Sequence, residues 1–144
     1  MRVQEIILRK GKAVHQILPS ASLADVVTRL VDFNCGSLVV TEADVVLGII
    51  TERDILRAIQ SAPRGLSSLI VRDYMTRNLI TGCSYDDVSE LMGVMTKHRI
   101  RHVPIIDQGN LSGIISIGDL VKAQFDSLAV ENHQMMSYIQ GNVR

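Results

Sequence analysis

Gly48-Ile49-Ile50-Thr51-Glu52-Arg53-Asp54 and, 65 positions later, Gly113-Ile114-Ile115-Ser116-Ile117-Gly118-Asp119 are two versions of one pattern. Each holds a glycine, an apolar β-branched pair, a hydroxyl residue and an aspartate three places on. Each continues into an apolar pair, a base and an alanine: Ile55-Leu56-Arg57-Ala58 and Leu120-Val121-Lys122-Ala123. The isoleucine pair suits a buried strand. The hydroxyl residue is a helix N-cap, and the aspartate completes a capping box with Asp in place of Glu. One Thr-x-x-Asp does no more than start a helix; repetition at fixed spacing, glycine included, argues for a second role.

Working outward, the 65-residue shift needs no gap from position 22 to position 58. In the first copy, residues 3–8 are an apolar stretch and Arg9-Lys10-Gly11-Lys12 a turn, followed by a strand from Val14 to Leu18 that Pro19-Ser20 ends. Ser22 caps an amphipathic helix with Leu23, Val26, Val27, Leu30 and Val31 on its apolar stripe. Ser37–Val40 and Val45–Ile50 form a hairpin around Glu42-Ala43-Asp44, and a helix runs from Thr51 to about Gln60.

The second copy repeats the order after a linker-like stretch at 61–68. It has a helical turn at 72–75, a strand at Leu79-Ile80-Thr81, and a helix capped by Asp87 with Val88, Leu91, Met92 and Met95 inward. A strand at 101–105, a turn at Gln108-Gly109-Asn110 and a strand at 111–115 follow. The last helix is longer than its counterpart, from Ile117 to about Gln140 with Gly141 as C-cap. Its residues Val121, Phe125, Leu128, Asn132, Met135 and Ile139 alternate in steps of four and three. Two readings of that stripe stand: extra core, or contact with a second subunit.

Composition narrows the class. A chain of 144 residues without Trp and rich in aliphatics fits one domain or two small α/β modules. Zero formal charge and no basic run leave out the electrostatic footprint of a nucleic-acid binder. No apolar run is long enough to span a membrane, and the N-terminus has no signal-peptide pattern. Cys35 and Cys83 form no disulfide framework, so a cytoplasmic protein with reduced thiols is expected.

The repeated unit, strand–helix–strand–strand–helix ending in glycine, two apolar residues, Thr or Ser, and Asp, resembles the cystathionine β-synthase (CBS) domain. Met95-Thr96-Lys97-His98-Arg99-Ile100-Arg101-His102-Val103-Pro104-Ile105 carries the likeness together with the two opening segments. The resemblance implies an α/β (α+β) fold of two pseudo-twofold-related β-α-β-β-α modules forming one CBS pair, with a long C-terminal helix added. The units would be residues 1–62, a linker at 63–68, residues 69–126 and an extension at 127–144.

It further implies an adenosine-containing ligand (AMP, ADP, ATP, NAD(H) or S-adenosylmethionine) in clefts between modules, with no cofactor required. By resemblance, ribose falls to Asp54 and Asp119, phosphate to Thr51 and Ser116, and an adenine wall to Ile80, Val103, Pro104 and Ile115. The chemistry agrees: a carboxylate accepts two hydroxyl hydrogen bonds, and a hydroxyl at a helix N-terminus sits beside free N–H groups. Arg101 and His102 add basic side chains to the second site, where the first has Gly36 and Ser37. Arg53 has two readings, phosphate contact or solvated first-turn residue. The Ser116/Asp119 site therefore ranks first.

Other chemistries lack support. His98 and His102 are four apart, but the chain between them turns from helix to strand, so the rings diverge and no metal is expected. No nucleophile elbow or Walker-type loop occurs. The expected function is a non-enzymatic regulatory module, a homodimer of CBS pairs that reports its ligand to another protein. The alternative is a ligand-independent interaction or dimerisation module.

Overall fold

Each half of the chain completes the core of the other. The computed structural model describes residues 1–62 and 64–143, with side chains to residue 140. Pro63, in the expected linker, and Arg144, at the end of the expected extension, lie outside the described residues. The first half runs α1 (Val3–Lys10), β1 (Gln16–Ile17), α2 (Leu23–Asp32), β2 (Ser37–Glu42), β3 (Val45–Thr51) and α3 (Glu52–Ser61). A 3₁₀ turn at Leu66–Ser68 leads to α4 (Val71–Tyr74), α5 (Val88–His98), β4 (His102–Asp107), β5 (Asn110–Ser116) and α6 (Ile117–Val143).

The α2–β2–β3–α3 and α5–β4–β5–α6 units repeat closely. β2 pairs antiparallel with β3, and β4 with β5; the register shifts at Val40/Thr41 and, 65 residues on, at Ile105/Ile106. Ser22 accepts from the Asp25 N–H and Asp87 from the Ser89 N–H, so both expected caps are present. The inward residues Leu23, Val26, Leu30, Val88, Leu91 and Met95 are all buried, whereas Val31 is exposed.

The N-terminal segments differ from expectation. The apolar stretch at residues 3–8 is most of helix α1, which continues through Arg9 and Lys10 where a turn was expected, with Val3, Ile6 and Ile7 buried. That face packs into the second core, among Val88, Leu91, Met95, Val103, Ile105, Ile115 and Leu120. Reciprocally, Val71 and Met75 from the start of the second half pack into the first core with Leu23, Leu38 and Ile50. Backbone bonds fix both exchanges: Val3 N–H to Asp86 C=O at 2.9 Å, and Leu23 N–H to Leu69 C=O at 2.9 Å. An eight-residue helix or a four-residue turn cannot bury its apolar face alone. Docking on the opposite half does it for both.

The exchange explains the leading glycines of the repeated motif. A Cβ on Gly48 would sit 2.6 Å from the Thr76 carbonyl oxygen, because the chain after α4 pairs there with Ile49. A Cβ on Gly113 would meet Ile7 of α1 at 3.3 Å. Each glycine is where the segment donated by the other half crosses the sheet.

Two expectations at element ends need correction. Leu79-Ile80-Thr81 is not a strand; the ladder is reduced to one parallel bridge between Gly82 and Ile105. The following residues satisfy their backbone otherwise, Cys83 N–H on the Asp86 carboxylate at 2.8 Å and Ser84 N–H on that of Asp107 at 2.9 Å. Gly141 does not cap α6, which runs through it to Val143. The stripe on that helix is not extra core either: Val121, Phe125, Leu128, Met135 and Ile139 are each more than half exposed. No helix among the described residues is long and apolar enough to cross a membrane.

Candidate functional site

Both capping boxes form, and their surroundings separate them. In the first, the Asp54 N–H donates to Thr51 Oγ1 at 3.4 Å while the Thr51 N–H returns to Asp54 Oδ2 at 2.9 Å. The Asp54 carboxylate is 5% exposed and also accepts from the Thr51 hydroxyl at 3.3 Å and the Thr76 hydroxyl at 3.2 Å. Arg57 Nη1 lies 3.9 Å away. Thr76 arrives with the donated segment, so this carboxylate is closed in by its own chain.

In the second box the Ser116 N–H donates to Asp119 Oδ2 at 2.8 Å, and the Asp119 N–H donates to Ser116 Oγ at 3.1 Å. The remaining partner is Lys10 of α1, whose ammonium donates to Asp119 Oδ2 at 2.6 Å and to the Ile114 carbonyl at 2.9 Å. The Asp119 side chain keeps 23% of its surface exposed. Burial pushes its carboxyl up, but Lys10 and the bonds from Ser116 outweigh that and hold it below the ordinary value. Asp119 is the more open aspartate.

His102 stands opposite Ser116 in the β4–β5 register, as Ser37 stands opposite Thr51. Its ring fills the space beside Gly36 of the first half, where a Cβ would meet His102 Nε2 at 2.9 Å and Glu52 Oε1 at 2.6 Å. The imidazole lies within the fields of Glu52, Lys10, Asp119 and Arg101; burial chiefly, against the pull of Glu52, keeps its pKa below the usual value. The seam between halves thus gathers His102, Glu52, Asp119 and Lys10, with exposed Arg101 at the start of the strand.

The other expected residues are placed less favourably. Arg53 points across the seam to the Arg99 carbonyl at 3.2 Å, a contact that neither reading of it anticipated. Val103 and Ile115 are fully buried in the second core, so they offer a purine no surface in this structure. Pro104 is buried and its carbonyl accepts from Gly82 N–H at 3.0 Å; Ile80 is half-buried nearby in sequence. A groove of about 640 Å³ opens between α2 and α3, lined by Val27, Val31, Cys35, Gly36, Glu52 and Leu56 among others. It touches the seam at Gly36 and Glu52 but reaches neither aspartate. Among the described residues no cluster of His, Cys, Asp and Glu suits a metal ion.

Lys10, Thr76 and Glu52 were missed as site residues. Lys10 and Thr76 come from segments of the opposite half, which the sequence order hides. The one available signal was the spacing of Val3, Ile6 and Ile7, which marks a helix and puts Lys10 in its last turn.

Two intertwined α/β units, each with a hydroxyl–aspartate box where strand meets helix, define a tandem-module protein with its polar residues at the seam. The CBS-domain family model matches residues 4–61 and again 71–126, and the chain belongs to the CBS-domain family as a CBS pair. It is 40% identical over 148 residues to the mitochondrial CBS domain-containing protein CBSX3 of Arabidopsis thaliana, covering 96% of this chain and 72% of that protein. The crystal structure of ATU1752, a CBS-domain protein of Agrobacterium tumefaciens, superposes with a TM-score of 0.83 at 38% identity over 86% of this chain and 99% of that one. The CBS domain pair of protein MJ0100, solved with 5′-methylthioadenosine and S-adenosyl-L-methionine, shares the fold with a TM-score of 0.76 at 24% identity over 88% of this chain and 98% of that one.

Proposed function

We propose that this CBS pair is a non-enzymatic regulatory module that binds an adenosine-containing ligand at the Ser116/Asp119 box and reports the bound state to another protein. AMP, ADP, ATP, NAD(H) and S-adenosylmethionine are the candidates. Ribose hydroxyls bond to Asp119, phosphate or another anion meets Ser116 and the α6 N-terminus, and Arg101 and His102 supply positive charge or donors. The observation that carries this reading is the partly exposed Asp119 carboxylate with Lys10 on one oxygen, at a helix start beside His102. Ribose would compete with Lys10 for that oxygen. A neighbour of the same fold binding adenosine compounds lends support to the ligand class. The working unit is a homodimer in the cytoplasm, and the sequence units 1–62 and 69–126 act as one body because each core holds part of the other. Ligand occupancy then shifts the population of one packing of the modules over another.

The second reading, an interaction module without ligand, is favoured at the first box. Asp54 is buried and fully engaged by Thr51 and Thr76, so it serves as a cap. Calorimetry with the five ligands tests both readings. One of them should bind more tightly than about 1 mM, and Asp119→Ala should weaken it at least about tenfold. Unchanged binding in Asp119→Ala would reject the site; no binding at all would favour the second reading.

A further inference from the structure

We propose that α6 pairs in parallel and in register with α6 of a second copy of this chain, with Asn132 setting the register. The inference rests on the homodimer reading and gives it a surface. Leu120 and Ala123 are the last residues of α6 that enter the second core. From Gln124 to Gln140 every residue of α6 is exposed. The 20 residues from position 124 to Val143 extend the helix by about 30 Å.

On that helix Val121, Phe125, Leu128, Asn132, Met135 and Ile139 keep the steps of four and three that place residues on one seam of a two-stranded coiled coil. A face packed against a globular core is buried; here the seam and its flanking residues Met136 and Tyr138 are all exposed, with Val130 alone of the large apolar residues past Ala123 facing away from it. With Phe125, Asn132 and Ile139 at the a positions, Val121, Leu128 and Met135 fall at d. The five apolar members expose 72%, 55%, 58%, 56% and 63% of their surfaces (Phe125, Ile139, Val121, Leu128, Met135), on the order of 600 Å² per chain against about 800 Å² per partner in a standard interface. The stripe is therefore most of an interface by itself.

Asn132 decides the occupant and the direction. A lone asparagine at an a position is satisfied by its own copy, which only a parallel in-register pair of identical chains supplies. Antiparallel pairing would set its amide against Leu128 or Met135 and leave it without a partner. Glu131 is the one charged side chain flanking the seam between 124 and 139, and in the parallel pair it faces Met136 of the other copy, so no like charges meet.

Sedimentation equilibrium of the full chain, with and without Phe125→Glu plus Leu128→Glu, tests the proposal. The unaltered chain should be a dimer in the micromolar range, and the double variant a monomer, its dissociation constant raised at least about 100-fold. Its circular dichroism should be unchanged apart from α6, since neither residue enters a core. Orientation is read from Ile139→Cys in a Cys35→Ser, Cys83→Ser background: oxidation should cross-link parallel partners, whereas antiparallel ones hold the two thiols far apart. A monomeric unaltered chain overturns this proposal and the homodimer together. A double variant that stays dimeric overturns the α6 pairing alone and sends the dimer to another face. Loss of the dimer without the cross-link overturns the parallel register.

Discussion

Gly48→Ala and Gly113→Ala occupy equivalent positions of the repeat and should differ sharply in cost. At Gly48 the added methyl meets the Thr76 carbonyl oxygen at 2.6 Å, with Met75 Sδ at 3.2 Å beside it. The oxygen is backbone, bonded into the Ile49–Thr76 bridge by bonds of 2.8 and 3.0 Å, so relief requires moving the donated segment off the sheet. Overpacking of that kind costs about 3 kcal/mol, and the entropy removed from the unfolded chain by Gly→Ala returns about 0.5–1 kcal/mol, for a net loss of about 2 kcal/mol. At Gly113 the nearest atoms are the end of the Ile7 side chain at 3.3 Å, which can give by a few tenths of an ångström. There the two terms nearly cancel, and the net should stay within about 0.5 kcal/mol of zero. A gap of about 2 kcal/mol is roughly a 30-fold ratio of unfolding constants and about 7 °C in Tm for a chain of this size. Urea unfolding followed by far-UV circular dichroism is the assay, since the chain has no Trp, with m-values compared to confirm a common unfolded state. Equal losses, or a larger loss in Gly113→Ala, would refute the account of the exchanged segments.

The Lys10–Asp119 pair should give a coupling of about 0.5–1 kcal/mol in a Lys10→Met/Asp119→Asn double-mutant cycle at neutral pH, modest because both side chains keep contact with water. Because the folded-state pKa of Asp119 is lowered, its stabilisation is present above the ordinary carboxylate range and fades as pH falls through the lower folded value. A coupling that persists in strong acid would contradict the ion pair. His102, kept below the usual histidine value chiefly by burial, gives the same sign at higher pH. Its contribution is whole above about pH 6.5 and declines as the solution is acidified below that, because the unfolded chain takes up the proton first. His102→Gln should flatten that stretch of the stability–pH curve, and NMR titration should place the His102 midpoint below those of free histidines. A midpoint at or above the ordinary value would remove the ring from the seam.

How far the fold could be read in advance follows from the range of the contacts. Ser22, Thr51 and Asp87 were legible as caps because each bonds backbone two or three residues away, and the hairpins were legible because their strands are neighbours in sequence. Helix α1 was not, because its apolar face is buried by residues more than 80 positions downstream and its stripe is only three residues long. The same division runs through the candidate site. Within each box the bonds span three residues and are nearly identical, so the two boxes look like one device used twice. Their differences enter from afar: Thr76 reaches Asp54 across 22 positions and Lys10 reaches Asp119 across 109. Under the 65-residue shift Lys10 aligns with Met75, so the segment that crosses each sheet brings a cation to one aspartate and a hydroxyl to the other. The cation sits on a carboxylate that keeps contact with water, whereas the hydroxyl covers a buried one and completes a cap. Exchange of the N-terminal segments is thus both what joins the two cores and what makes the two boxes unequal.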